Sequence, residues 1–166
     1  MVVIVMGLPG SGKSYFAERL GGKINAVYIS SDRVRKELFE KRTYSRAEKA
    51  RVYKEMLQRM ELAMAHKKSV VLDATFHDKE TRDVFLEKTE KQAFLIEVQA
   101  SEALIRRRLK KSRPYSEADF EVYELLRNQW SSVEQPHLIL ESTDDNIDDM
   151  LTKALDYLSN DTGTDP

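Results

Sequence analysis

Residues 7–14 read Gly-Leu-Pro-Gly-Ser-Gly-Lys-Ser, a full match to G-x-x-x-x-G-K-[ST]. An apolar run of strand length, Val2 to Met6, leads into it, and Phe16 and Leu20 at i, i+4 mark a helix leading out. Strand, glycine-rich loop and helix in this order form a P-loop. Its glycines let main-chain N–H groups turn inward onto phosphate oxygens, and the helix N-terminus adds the positive end of its dipole. Lys13 is placed to reach the β- and γ-phosphates, and the Ser14 hydroxyl to ligate Mg²⁺. The expected nucleotide-binding set is Gly10, Ser11, Gly12, Lys13, Ser14 and Tyr15.

The pattern continues along the chain. Ala26–Ile29, Ser69–Asp73, Ala93–Val98 and His137–Leu140 are further short apolar runs. Between them lie segments of helical periodicity. The P-loop helix is expected to stop at Gly21-Gly22. Ser30-Ser31-Asp32 supplies N-cap chemistry for a helix to about Phe39. Arg46–Lys67 carries Tyr53, Met56, Leu57, Met60 and Met64 at helical spacing. Helices are also expected from Asp78 to about Glu90, from Ser101 to Lys111 with Pro114 as its breaker, and from Ser116 to about Ser131. Ile147, Met150, Leu151, Ala154, Leu155 and Leu158 form the stripe of a last helix. Strands alternating with helices predict an α/β, three-layer fold around a parallel sheet of about five strands. One domain over 1–158, with a lid at about 101–116 and a flexible tail at 159–166, fits the length of 166 residues.

Composition narrows the setting. There is no cysteine, which removes disulfides and thiolate-held metals and favours a cytoplasmic location. No apolar run approaches the roughly 20 residues of a membrane helix, so no membrane partner is expected. Net charge is −1, but the distribution is uneven. Nine Lys/Arg fall between Arg33 and Lys54, and six of the eight residues from Arg106 to Arg113 are basic. Glu141 to Pro166 holds eight acids and one lysine. Local fields of this kind matter more to an anionic ligand than the net charge does.

Two acids stand at strand ends. Asp73 closes Val70-Val71-Leu72 and is the expected second metal residue beside Ser14. Asp32 follows the second strand and should emerge at the same sheet edge as the P-loop. There a carboxylate can take the proton of an attacking hydroxyl, or simply cap the next helix. Arg35, one turn on, can clamp an acceptor. Arg106, Arg108 and Arg113 are the candidate lid cations, able to stabilise charge on a transferring group. His66, His77 and His137 lack ligand spacing, and Trp130 reads as a core anchor.

The ordered set of Gly7–Ser14, Ile29-Ser30-Ser31-Asp32-Arg33-Val34-Arg35-Lys36, Val70-Val71-Leu72-Asp73-Ala74-Thr75-Phe76 and Arg82 resembles the small P-loop kinases grouped with polynucleotide 5′-kinases, chloramphenicol phosphotransferase and the zeta toxins. The resemblance spans roughly residues 2–145. It implies an adenylate-kinase-like sheet with the P-loop strand in the middle and a helical lid. It also implies ATP, or another nucleoside triphosphate, as donor with Mg²⁺. Lys13 and Ser14 would serve the nucleotide, Asp32 would be the general base, Arg35 and Arg82 would hold the acceptor, and one or two of Arg106, Arg108 and Arg113 would be lid arginines. The chain departs from several such polynucleotide kinases at Phe76, where they carry Asn. The expected activity is ATP-dependent transfer to the 5′-OH of RNA or DNA, as in RNA repair, with a single-stranded nucleic-acid end as partner. The chain would act alone or as a domain of a larger end-healing protein. The alternative is a kinase of a small hydroxylated molecule such as an antibiotic, sugar or nucleotide-sugar. A non-catalytic nucleotide sensor would have no use for Asp32 as a base. An Asn-Lys-x-Asp guanine motif and a Leu-Ser-Gly-Gly signature are both missing, which disfavours a GTPase switch and an ABC ATPase.

Overall fold

The computed structural model describes residues 1–111 and 119–160. Strands β1 (Val2–Met6), β2 (Val27–Ser30), β3 (Val70–Asp73), β4 (Phe94–Gln99) and β5 (Leu138–Glu141) form one sheet in the order β2-β3-β1-β4-β5. All four pairings are parallel. The P-loop strand is therefore central, as expected. Every residue of β1 and β3 is buried, which explains why both read as unbroken apolar runs rather than alternating ones.

Helices α1 (Lys13–Lys23), α2 (Ser31–Leu38), α3 (Arg46–Ala65), α4 (Lys79–Lys88), α5 (Glu102–Leu109), α6 (Phe120–Asn128) and α7 (Ile147–Asn160) cover both faces of the sheet. Strand alternation sorts the core in two. Ile4, Met6, Val70 and Leu72 pack with Met56 and Met60 of α3 and Phe85 of α4. Val3, Val5, Val71 and Ile96 pack with Phe16, Ala17 and Leu20 of α1 and with the Met150, Leu151, Ala154 and Leu158 stripe of α7. Trp130 packs against the first cluster, in keeping with its reading as an anchor.

Some boundaries differ from expectation. α1 runs through Gly21 and Gly22 to Lys23. Glycine inside a helix costs about 1 kcal/mol against alanine, but α1 is held by its buried Phe16–Leu20 face, and Gly21 itself is buried. The chain turns one step later, where Asn25 takes a φ of 52°. α7 reaches Asn160, so Ser159 and Asn160 are helical rather than tail. Asp119 caps α6, accepting from the Val122 N–H at 3.0 Å. The expected helix start at Ser116, the breaker Pro114, Arg113 and the last residues of the tail lie outside the described residues. Among the described residues no helix is long and apolar enough to cross a membrane.

Register sets the site. Val5, Asp73 and Ser30 are paired across β1, β3 and β2, so they lie level at the C-terminal edge of the sheet. That is the edge at which open α/β sheets bind ligands.

Candidate active site

The P-loop leaves β1 at Met6 and turns through two left-handed glycines, Gly10 at φ 78° and Gly12 at φ 91°. Both conformations strain a side chain. At Gly12 the space is also taken, since a Cβ would meet Ser142 Oγ at 2.7 Å. Gly12 is the N-cap of α1, no side chain caps that terminus, and its first turn holds no acid. Free N–H groups and an unopposed positive dipole end suit an anion.

Beside the loop lies a hollow of about 490 Å³, lined by Gly10, Gly12, Lys13, Ser14 and Tyr15 on one side and by Arg108, Lys111 and the Ser142–Ile147 stretch on the other. Arg108 spans it. Its guanidinium donates to Gly10 O at 3.2 Å, Ser142 Oγ at 3.0 Å and Thr143 O at 2.9 Å. The expected lid arginine is thus already against the P-loop. Arg106 is not: it pairs with Glu102 at 3.0 Å and lies over the Phe120 ring at 3.7 Å, outside the hollow. Position decides this, because a step of two residues turns a helix by about 200°, which points Arg108 inward and leaves Arg106 on the outer face of α5. Arg113 falls outside the described residues.

Asp73 is buried. Its Oδ2 accepts a 2.6 Å hydrogen bond from the Tyr28 hydroxyl, and its Oδ1 is buried with no hydrogen-bond partner. Burial and the adjacent Asp73 push the Tyr28 phenol well up, so it stays a proton donor. By strand alternation Asp73 shares the sheet face of Val71, which packs with Phe16, Ala17 and Leu20 of α1. An orphaned carboxylate oxygen at the end of the strand beside the P-loop strand fits an Mg²⁺ site made of Ser14, Asp73 and water. Among the described residues there is no cluster of three or more His, Asp or Glu that could hold a metal in another way.

On the far side of Lys13 a second hollow, of about 320 Å³, opens between the P-loop, α2, α3 and α6. Asp32 and Arg35 line it together with Lys13. Asp32 is not the cap of α2: Ser30 holds that position, its Oγ accepting from the Arg33 N–H at 3.5 Å. Arg35 Nη1 lies 3.5 Å from Asp32 Oδ1, and its Nε lies 3.1 Å from Glu48 Oε1. Glu48 is buried, and its other oxygen accepts from the Thr43 N–H at 2.7 Å and the Thr43 hydroxyl at 2.9 Å. Burial raises its pKa, but the Thr43 and Tyr44 donors and Arg35 outweigh that and hold it below the usual carboxylate range. Lys49, also at the hollow, pairs with Asp78 at 3.1 Å. His77 is kept neutral at physiological pH by burial and by Lys49.

One resemblance-based expectation changes here. Arg82 does not line the hollow of Asp32 and Arg35. It is 1% exposed, and its guanidinium donates to the carbonyls of Phe76 (2.8 Å), His77 (3.3 Å), Ser131 (2.9 Å) and Ser132 (2.9 Å). Every terminal nitrogen is spent on main chain, so none is left for a ligand. Phe76, at φ 49°, is fully buried in an edge-on aromatic cluster with Tyr53 and Phe85. Its neighbours Thr75 and His77 line the hollow instead.

Sequence reasoning missed Glu48, Tyr28 and the α6 wall of Val122, Leu125 and Leu126. Ser45-Arg46-Ala47-Glu48 does carry a capping-box signal. Ser45 Oγ takes the Glu48 N–H at 3.1 Å, but the carboxylate turns to Thr43 and Arg35. Tyr28 carries no signal beyond its place in a strand.

A five-stranded parallel sheet with a P-loop on its central strand defines the three-layer P-loop NTPase fold, here in its kinase-like form. The chain belongs to the AAA_33 family of AAA domains, whose profile matches residues 2–136. Solved structures agree on the fold. A sugar kinase from Janibacter sp. HTCC2649 superposes with a TM-score of 0.74 at 14% identity, covering 95% of this chain and 94% of that one. A gluconokinase from Sinorhizobium meliloti 1021 gives 0.71 at 16% identity, covering 96% and 91%. The Mycobacterium tuberculosis APS kinase CysC, in complex with AMPPNP and APS, gives 0.71 at 20% identity, covering 95% and 96%. Uncharacterized protein Rv2004c of Mycobacterium tuberculosis is 33% identical over 93 residues, 49% of this chain. That match takes in 19% of the relative's own length.

Proposed function

We propose that the chain is an ATP-dependent kinase that phosphorylates a hydroxyl of a small molecule. The observation that carries this is the placing of Lys13 and Asp32 on one hollow, with the second, nucleotide-sized hollow on the other side of the P-loop. The nucleotide would lie between the P-loop, Arg108 and the Ser142–Ile147 stretch. Lys13 and Arg108 would stabilise the charge of the transferring group. Ser14 and, through water, Asp73 would hold Mg²⁺, which would supply positive charge against the phosphates. Asp32 takes the proton of the acceptor hydroxyl as its oxygen bonds to the γ-phosphorus. The bond from that phosphorus to the β–γ bridging oxygen breaks, and the nucleoside diphosphate leaves. Arg35, fixed by Glu48, holds Asp32 and the acceptor in register.

A polynucleotide 5′ end as acceptor has less support. Four of the nine cations between Arg33 and Lys54 are already engaged within the chain. Arg33 pairs with Glu18 on α1, Arg35 turns inward to Glu48, Lys49 holds Asp78, and Arg51 lies over Phe39. The hollow at Asp32 is also small and walled by α6. The structural neighbours named above as acting on small molecules point the same way.

The test is γ-labelled ATP with a panel of sugars, nucleosides, antibiotics and 5′-OH oligonucleotides. Label is expected in a small molecule. Asp32→Asn should cut transfer by about 10²-fold or more, with nucleotide affinity unchanged, because the base acts on the acceptor. Labelling of oligonucleotide ends alone would replace this reading with the polynucleotide one. Near-normal turnover of Asp32→Asn would reduce Asp32 to a helix residue.

A further inference from the structure

One wall of the acceptor hollow, that given by α6, is apolar, and two of its residues, Val122 and Leu125, are exposed. Val122, Leu125 and Leu126 lie at i, i+3, i+4 on α6 and present one face to the hollow. Eight large hydrophobic residues are exposed among the described ones, and three of them, Tyr44 (48%), Val122 (38%) and Leu125 (55%), line this hollow. Such a concentration of exposed apolar surface in one concave place marks a binding site more often than chance scatter. Two of the cations at the hollow already have carboxylate partners: Arg35 lies against Asp32 and Glu48, and Lys49 against Asp78. An acceptor that met this hollow with hydroxyls on every side would strip water from several of them against aliphatic carbon, with no compensating bond.

We infer that the acceptor is an alcohol carrying an apolar body, aliphatic or aromatic, rather than a bare polyol. One hydroxyl meets Asp32, and the body lies along α6 between Leu125 and Tyr44. This rests on the kinase reading of the same hollow and narrows its substrate class.

The experiment compares two sets of alcohols on the Mg-ATP-saturated protein. Glycerol, glucose and gluconate form one set, and phenylethanol, cyclohexylmethanol and benzyl alcohol the other. Binding is read by ligand-observed NMR, and transfer by label from γ-labelled ATP. The apolar set should bind at least about ten-fold more tightly. Leu125→Gln, at an exposed position where folding is not at risk, should weaken the apolar set about five-fold through lost apolar contact. It should leave ATP affinity unchanged. Leu62→Gln, at an equally exposed site on α3 away from the hollow (Leu62 is 63% exposed), should change neither. Equal affinity for the two sets, including none for either, or indifference of the apolar set to Leu125→Gln, overturns the inference. Failure of the kinase reading looks different: tight binding of the apolar set with no label transferred to any acceptor.

Discussion

Arg82 offers a sharp test, because the structure and the resemblance assign it different work. Its two terminal nitrogens bind four carbonyls, two from the loop after β3 and two from the segment after α6. Ser131 N–H donates to His77 O at 2.8 Å in the same seam. Arg82→Met fills much of the volume and removes every donor. The desolvation cost of the buried guanidinium is recovered, but the carbonyls stay where the backbone puts them. Lost charge-assisted bonds and stranded acceptors together are worth roughly 4 kcal/mol. For a chain of this size each kcal/mol moves the melting temperature by about 2–4 °C, so a fall of roughly 8–16 °C is expected. Arg82→Lys keeps the charge but cannot span both pairs of carbonyls, and should fall between the two. The assay is a thermal melt by circular dichroism, with acceptor kinetics measured below both transitions. A Met variant that melts like the parent while its acceptor KM rises would refute the seam and restore Arg82 to the acceptor side.

Two further outcomes follow from other contacts. Tyr28→Phe removes the 2.6 Å bond to Asp73 and keeps the ring. Nucleotide affinity in EDTA should be unchanged, while the gain in affinity on adding Mg²⁺ falls about ten-fold, the worth of one hydrogen bond to a charged group. An unchanged Mg²⁺-linked gain in a fluorescent-nucleotide titration would argue that the phenol only packs. Asp78 caps α4 and holds Lys49; burial raises its pKa, but Thr81 and Lys49 outweigh this and hold it at about 2. A carboxylate depressed in the folded state stabilises above its unfolded pKa and loses that contribution as pH falls. Melting temperature should therefore drop between about pH 4 and pH 2 more steeply in the parent than in Asp78→Asn. Parallel curves would show that the cap is not the acid-sensitive group.

The strands were legible because a sheet covered on both faces demands unbroken apolar runs, and Val2–Met6 and Val70–Asp73 supply them. The P-loop was legible because its glycines are dictated by local backbone geometry. Asp32 could be placed because the C-terminal ends of parallel strands share one edge. Arg82 and Arg106 were misplaced because a side chain's partners are set by segments far along the chain. Ser131 and Ser132 reach Arg82 only through the path after α6, and Phe120 reaches Arg106 only once α5 and α6 pack together. Gly21-Gly22 misled because a stop signal is local, whereas the burial that carries α1 past it is not. The apolar wall of α6 could not be told from a core stripe, since periodicity reports one apolar face and says nothing about what covers it.

The start of α1 is where the folded chain agrees least with itself. Gly10 and Gly12 sit in left-handed backbone, no side chain caps the helix, and Ser11 Oγ is buried without a hydrogen-bond partner. Elsewhere α2, α3, α4, α5 and α6 all begin on a side-chain oxygen that takes a backbone N–H. In landscape terms this is local frustration gathered at one turn. On the kinase reading proposed above, a nucleotide's phosphates would be the missing cap. Binding would then complete a helix that the polypeptide leaves unfinished, and ligand recognition and the last increment of folding would become one event at this place.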